Sequence, residues 1–108
     1  MKRIVKPCCL PFGDILYLEG MRNYTQIVFR NGEKATVSHT LRYFEVMLAE
    51  YELYIRTHKS YLVNLQTVKA IVWTADEPYM TLFNDDRVAI ARRKRRKVRK
   101  RLKYLSLS

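Results

Sequence analysis

Two cysteines, two histidines, three glycines and three prolines are all that the 108 residues carry of these types, and each scarcity closes off a class of protein. Cys8 and Cys9 are adjacent with no third cysteine to pair with, so neither a disulfide framework nor a cysteine-built zinc site is available, and they read as reduced intracellular thiols. His39 and His58 lie in different segments, neither with a Cys, Asp or Glu at metal-ligand spacing. There is no glycine-rich phosphate loop and no nucleophile elbow, and the neighbouring acids Asp85 and Asp86 belong to a turn. The expectation is a protein without catalytic residues, metal or cofactor, and not an enzyme. So few glycines and prolines also exclude a collagen-like or loop-dominated chain. No apolar run approaches the roughly 20 residues of a membrane span. The start, Met1-Lys2-Arg3-Ile4-Val5-Lys6-Pro7, lacks the apolar stretch of a signal peptide, so a cytoplasmic protein without membrane insertion is expected.

The last scarcity is local. From Arg92 to Lys103 there is no acid at all, and every residue except Val98 and Leu102 is Lys or Arg. These twelve positions hold ten of the eleven net positive charges, leaving +1 for the rest. A nearly neutral body with a concentrated basic segment calls for a polyanionic partner: nucleic acid, an anionic membrane face, or acidic protein. The body, with eight tyrosines, reads as one packed domain over 1–108 with a single core, burying about 65% of the surface of the unfolded chain.

Ile15-Leu16-Tyr17-Leu18 and Tyr24 to Phe29, rich in β-branched and aromatic residues, read as strands joined by Gly20-Met21-Arg22-Asn23. Asn31-Gly32, with both residues at positive φ in a type I′ turn, should join the second to a strand over Lys34 to Val37. Ser38 suits a helix cap, and Leu41, Phe44, Met47 and Leu48 recur as one helix face between Thr40 and Glu50. Tyr54-Ile55-Arg56 and Ser60 to Val63 follow as strands around Thr57-His58-Lys59, then Val68 to Thr74, Tyr79 to Phe83 and Arg87 to Ile90. Strands at such short spacing indicate small antiparallel sheets, a mainly β fold. In the basic tail, 92–105, Val98, Leu102 and Leu105 form one narrow apolar seam that can dock a helix on the body, its Lys and Arg facing outward. Residues 1–13 give no clear reading.

The most informative stretch is Arg56 to Asn64. It reads as two short strands about a polar kink, with Tyr61 and Val63 on one face and Leu62 on the other. Asn64 caps or turns the chain, His58 bonds a backbone carbonyl, and Lys59 is a long cation able to reach a phosphate or a guanine edge.

Taken together, Asp14-Ile15-Leu16-Tyr17-Leu18-Glu19, then Tyr24, the short helix Leu41 to Leu48, and His58-Lys59-Ser60-Tyr61-Leu62-Val63-Asn64 resemble the LytTR domains of bacterial response regulators. The resemblance extends over about 14–102. It implies a mainly β domain of small packed sheets with one short helix, which reads the major groove with loops. Carried over by position, Asn23, Lys59 and Arg93 would read bases. Met21, Arg22, Tyr24, His58, Ser60, Arg92, Lys94, Arg96 and Lys97 would hold the DNA backbone or support the readers. Where the family commonly has Ser-Arg after the last strand, this chain has Ala91-Arg92-Arg93, so a hydroxyl at position 91 is missing. The family setting further implies a transcription regulator in a two-component system, with a sensor kinase or membrane regulator as partner. The domain would be a monomer alone, and two copies would sit on direct-repeat half-sites of double-stranded DNA. The competing readings of the charge are a basic RNA-binding or ribosome-associated protein that grips phosphates without sequence preference, and a module held to anionic lipid.

Overall fold

A computed structural model gives the fold and describes residues 3–4, 12–51 and 53–105. The cysteines, and with them the expectation of reduced thiols, lie outside the described residues. In chain order the elements are β1 (Arg3–Ile4), β2 (Ile15–Met21), β3 (Tyr24–Phe29), β4 (Lys34–Val37), α1 (Leu41–Met47), β5 (Tyr54–His58), β6 (Tyr61–Asn64), β7 (Val68–Val72), β8 (Tyr79–Leu82), β9 (Arg87–Ala89) and α2 (Arg95–Tyr104). One sheet runs β1-β4-β3-β2-β6-β5 and a second β7-β8-β9. The fold is mainly β with one short body helix and a basic C-terminal helix, as the sequence implies. Pairing is antiparallel except for β1 on β4, a parallel pair that falls in the stretch the sequence left unread.

The apolar run Ile15-Leu16-Tyr17-Leu18 is buried throughout, and a bulge between Ile15 and Tyr17 breaks the two-residue alternation. Ile15 and Leu18, three apart, therefore share one core with Ile27, Phe29, Leu41 and Phe44 under α1. Leu16 and Tyr17 turn to the opposite core, with Val28 and Val63 of the same sheet, Met80, Leu82 and Val88 of the second sheet, and Val98 and Leu102 of α2. The single expected core is thus two clusters, one on each face of the larger sheet. Each fully buried Leu, Ile or Phe contributes about 1.5–3 kcal/mol. The carbonyls at the bulge are satisfied from β6 and the turn after it: the Asn64 amide donates to the Ile15 carbonyl at 2.9 Å, and the Thr67 hydroxyl reaches that of Leu16 at 3.4 Å. Asn64 Oδ1 also accepts from the Gln66 N–H at 3.0 Å, so this residue both caps the turn and fastens the bulge.

Three local expectations are revised. The cap of α1 is Thr40, whose hydroxyl accepts from the Tyr43 N–H at 3.3 Å. Ser38 is the middle residue of the tight turn in which the His39 N–H meets the Val37 carbonyl, and the helix stops at Met47. In the β3–β4 hairpin only Gly32 has positive φ, +89°. Arg30 and Asn31 form an ordinary turn, with the Gly32 N–H on the Phe29 carbonyl at 3.0 Å, followed by a glycine bulge. Asn31 is spent differently, its Oδ1 accepting from the Glu33 N–H at 2.9 Å. The β8–β9 hairpin repeats this construction, with Asp85 at φ +70° in the glycine's place and Asn84 Oδ1 accepting from the Asp86 N–H at 3.1 Å.

The seam of α2 is as expected: Val98 and Leu102 are buried and Leu105 packs beside them. The outward orientation of all its charges is not. Arg95 donates to the Thr74 and Ala75 carbonyls at 2.5 and 2.8 Å, Arg101 to the Tyr54 carbonyl at 3.2 Å, and the Arg99 guanidinium lies 4.4 Å from the centre of the Trp73 ring. Arginine carries a long stem and a flat donor fork, so it can line the seam and still bond carbonyls at its margin.

Candidate nucleic-acid interface

Strand order brings together three segments that are far apart in sequence. Met21 pairs with Tyr24, leaving Arg22-Asn23 as a two-residue turn, and Arg22 has φ +52°, the left-handed value that a primed hairpin turn requires at its first position. At the root of this hairpin, Gly20 lets α1 approach: a Cβ there would lie 3.2 Å from that of Leu41. On the other side of β2, Glu19 faces Tyr61 across to β6, and the Gly20 N–H donates to the Ser60 carbonyl at 2.9 Å. The Lys59-Ser60 turn therefore ends at the same edge, two strand spacings or about 10 Å away. Next is β5, whose Thr57 hydroxyl donates to the Ala89 carbonyl at 3.0 Å while the Ala91 N–H meets the Thr57 carbonyl at 2.7 Å. This seats the single turn Arg92–Lys94 beside the second hairpin.

Along one edge thus run Met21 to Tyr24, His58 to Ser60 and Arg92 to Lys94. Arg22, Asn23, Tyr24, Lys59, Arg92 and Arg93 are exposed; Met21, His58, Ser60 and Lys94 are half-buried. The edge presents cationic and amide donors from loop tips whose bases are held by strand pairing, an arrangement suited to phosphates and to the acceptor-rich edges of bases. Arg96 and Lys97 are exposed on the first turn of α2, beyond the edge proper. On the opposite flank His39 stacks on Tyr43 at 4.0 Å, and its carbonyl accepts the Thr25 hydroxyl.

The residue that organises the middle segment is Arg56, which sequence reasoning did not single out. Its Nε donates to the His58 carbonyl at 2.9 Å, one terminal nitrogen to the Lys59 carbonyl at 2.6 Å, and the other to Glu45 Oε1 of α1 at 2.8 Å. One guanidinium thus holds two consecutive turn carbonyls and is itself aimed by a carboxylate. Nothing in a linear pattern distinguishes this arginine from any other strand cation; only the meeting of α1 with the β5–β6 turn reveals it.

His58 takes the role opposite to that expected. Its Nδ1 accepts the Ser60 N–H at 3.1 Å, which requires that nitrogen to be unprotonated. Burial, and then the charges of Lys59 and Arg56, hold its pKa below the ordinary histidine value. Its ring leans on Tyr61, which meets Tyr17 edge-on, and the Tyr17 hydroxyl donates to Asp86 at 2.9 Å. Burial and the Asp86 carboxylate push the Tyr17 phenol well above its usual range, so it remains a donor.

Among the described residues, no group of three or more His, Cys, Asp or Glu is placed to hold a metal ion, and no helix is long and apolar enough to cross a membrane. Comparison with known proteins gives the family. The LytTr DNA-binding domain family matches residues 6–103. Among solved structures, the LytTr DNA-binding domain of a protein described as a methyl-accepting/DNA response regulator from Bacillus cereus is 29% identical, with a TM-score of 0.77 over 86% of this chain and 84% of that one. No curated protein matches. With nearly its whole length matched and its sheets arranged as in that domain, this chain belongs to the LytTR DNA-binding domain family.

Proposed function

We propose that the domain binds duplex DNA sequence-specifically as a transcription regulator, presenting the three loops of the sheet edge to the major groove. The observation that carries this reading is the alignment of the Arg22-Asn23 turn, the Lys59-Ser60 turn and the Arg92–Lys94 turn on one edge, each tip exposed and each base fixed. Asn23, Lys59 and Arg93 read bases from the loop tips. Arg92, Lys94, Arg96 and Lys97 hold phosphates, joined by Ser60, while Met21, Arg22, Tyr24 and His58 shape the first two loops. The chain acts in the cytoplasm as one DNA-binding domain. It is a monomer off DNA, and two copies occupy direct-repeat half-sites about two helical turns apart, on one face of the duplex. Its activity is set by a sensor kinase or membrane regulator.

The test is affinity for a panel of singly mutated operator duplexes at fixed salt. Arg93→Ala erases preference at one or two base pairs, a loss of about 1–3 kcal/mol of discrimination, and Lys59→Ala does the same at a different position. Lys94→Ala weakens all duplexes alike and flattens the salt dependence by a slope of about 0.9. Uniform losses for all three variants would leave only a phosphate-gripping protein, the RNA-binding alternative among them.

A further inference from the structure

Away from the reading edge, a groove of about 900 Å³ runs between β7 and α2. Its floor is apolar, formed chiefly by Val68, Ile71, Trp73 and Leu102. Its α2 wall carries Arg96, Arg99, Lys100 and Lys103, and Lys69 stands on the β7 side; among the described residues no acid lines it. The four α2 cations are spaced i, i+3, i+4 and i+7, one stripe of a helix about 10 Å long. At the groove's margin Lys69 meets Asp85 at 2.9 Å.

We propose that this groove binds an acidic amphipathic helix of a protein partner, lying along α2 with its apolar stripe on Ile71 and Trp73 and its carboxylates toward the cation stripe. The inference goes beyond DNA reading, because it concerns a face that holds none of the proposed base readers and shares only Arg96 with the proposed phosphate contacts. The distribution of charge selects the partner. A small amphipathic anion has one headgroup and would leave most of the cations unmatched. A nucleic acid backbone could match the cations but has no use for an aliphatic floor. Stacking of loose bases needs open aromatic faces, and the groove has one aromatic ring, over which Arg99 already lies.

Trp73 is the only tryptophan in the chain, so its emission reports the groove directly. The probe is a short synthetic helix with a leucine stripe flanked by glutamates, compared with a scrambled peptide of the same composition, oleate, and single-stranded oligo-dT. The expected result is a saturable shift of Trp73 emission with the amphipathic peptide, about tenfold weaker for the scramble. The double variant Lys100→Gln/Lys103→Gln should weaken the peptide about fivefold while operator DNA is bound as before. A second variant, Ile71→Gln, tests the floor in the same way. The proposal is overturned if the scramble binds as well, if oleate or oligo-dT shifts Trp73 at lower concentration than the peptide, or if neither variant changes peptide binding. Loss of operator binding by the wild-type domain would defeat the DNA-reading proposal and leave this one standing.

Discussion

Arg56→Ala removes the guanidinium that holds the His58 and Lys59 carbonyls. The ion pair with Glu45 is largely shielded, with side-chain exposures of 18% and 26%, so it exceeds the few tenths of a kcal/mol of a surface pair. Hydrogen bonds to a charged group contribute about 1.5–3 kcal/mol where the partner would otherwise be left unsatisfied. Here the freed turn carbonyls can turn to water, so a stability loss of about 2–3 kcal/mol is expected for the set. Binding suffers separately. Fixing the backbone of one residue costs about 1–2 kcal/mol, and the loosened Lys59-Ser60 turn must be re-ordered on DNA. Strand pairing and the His58–Ser60 bond retain part of the order, so about 2 kcal/mol is the expected loss, roughly 30-fold in affinity, with the base preference proposed for Lys59 blurred. Arg56→Lys, a single ammonium unable to bridge both carbonyls, should recover stability better than specificity. The measurement is a thermal melt of each variant, followed by operator affinity at a temperature where all are folded. An Arg56→Ala protein that melts earlier yet binds the operator panel like wild type would show that the clamp serves the fold alone.

Three further outcomes follow from the geometry. Because its folded pKa is lowered, neutral His58 stabilises the native state fully above about pH 6.5, the unfolded value, and that contribution is lost as pH falls toward the folded pKa. Melts between pH 5 and 7.5 should show this slope in wild type and a shallower one in His58→Asn, and equal slopes would remove the role of Nδ1. Leu102→Ala should cost about 2–5 kcal/mol by denaturant titration, because α2 completes the second core; a cost under about 1 kcal/mol would make the helix a dispensable tail. Asp85→Gly relieves a left-handed φ at the price of an exposed ion pair with Lys69, and should raise stability by about 0.5–1 kcal/mol. A lower melting temperature would contradict that.

β2 to β9 and both helices were legible because their cues are local: alternation, β-branched content and the 3.6-residue seam of Val98, Leu102 and Leu105. What escaped depends on distant partners. The bulge at Ile15–Tyr17 is invisible in an unbroken apolar run, and the carbonyls it turns aside are met by Asn64 and Thr67, about fifty residues on. The Asn31-Gly32 dipeptide marked the hairpin but not its turn type, since Asn31 can serve either as a left-handed residue or as an acceptor for Glu33. The three edge segments could be placed only by family resemblance, whereas their alignment follows from strand order. Arg95 and Arg101 read as solvent-facing cations, and Arg56 as an ordinary strand residue, because charge alone does not say that a carbonyl waits within reach. The cap moved from Ser38 to Thr40 because both are competent and Ser38 is taken up in the Val37–His39 turn.

The edge is assembled from residues in the twenties, the late fifties and the early nineties, and its last segment is braced by a helix whose own anchors are Val98 and Leu102. A ribosome must therefore deliver this domain as far as Leu102 before the proposed edge can form. Nascent fragments and clipped products carry two of the three loops but not the third, nor the helix that seats it. Such fragments should be bystanders in the cell, unable to compete for DNA with the folded domain.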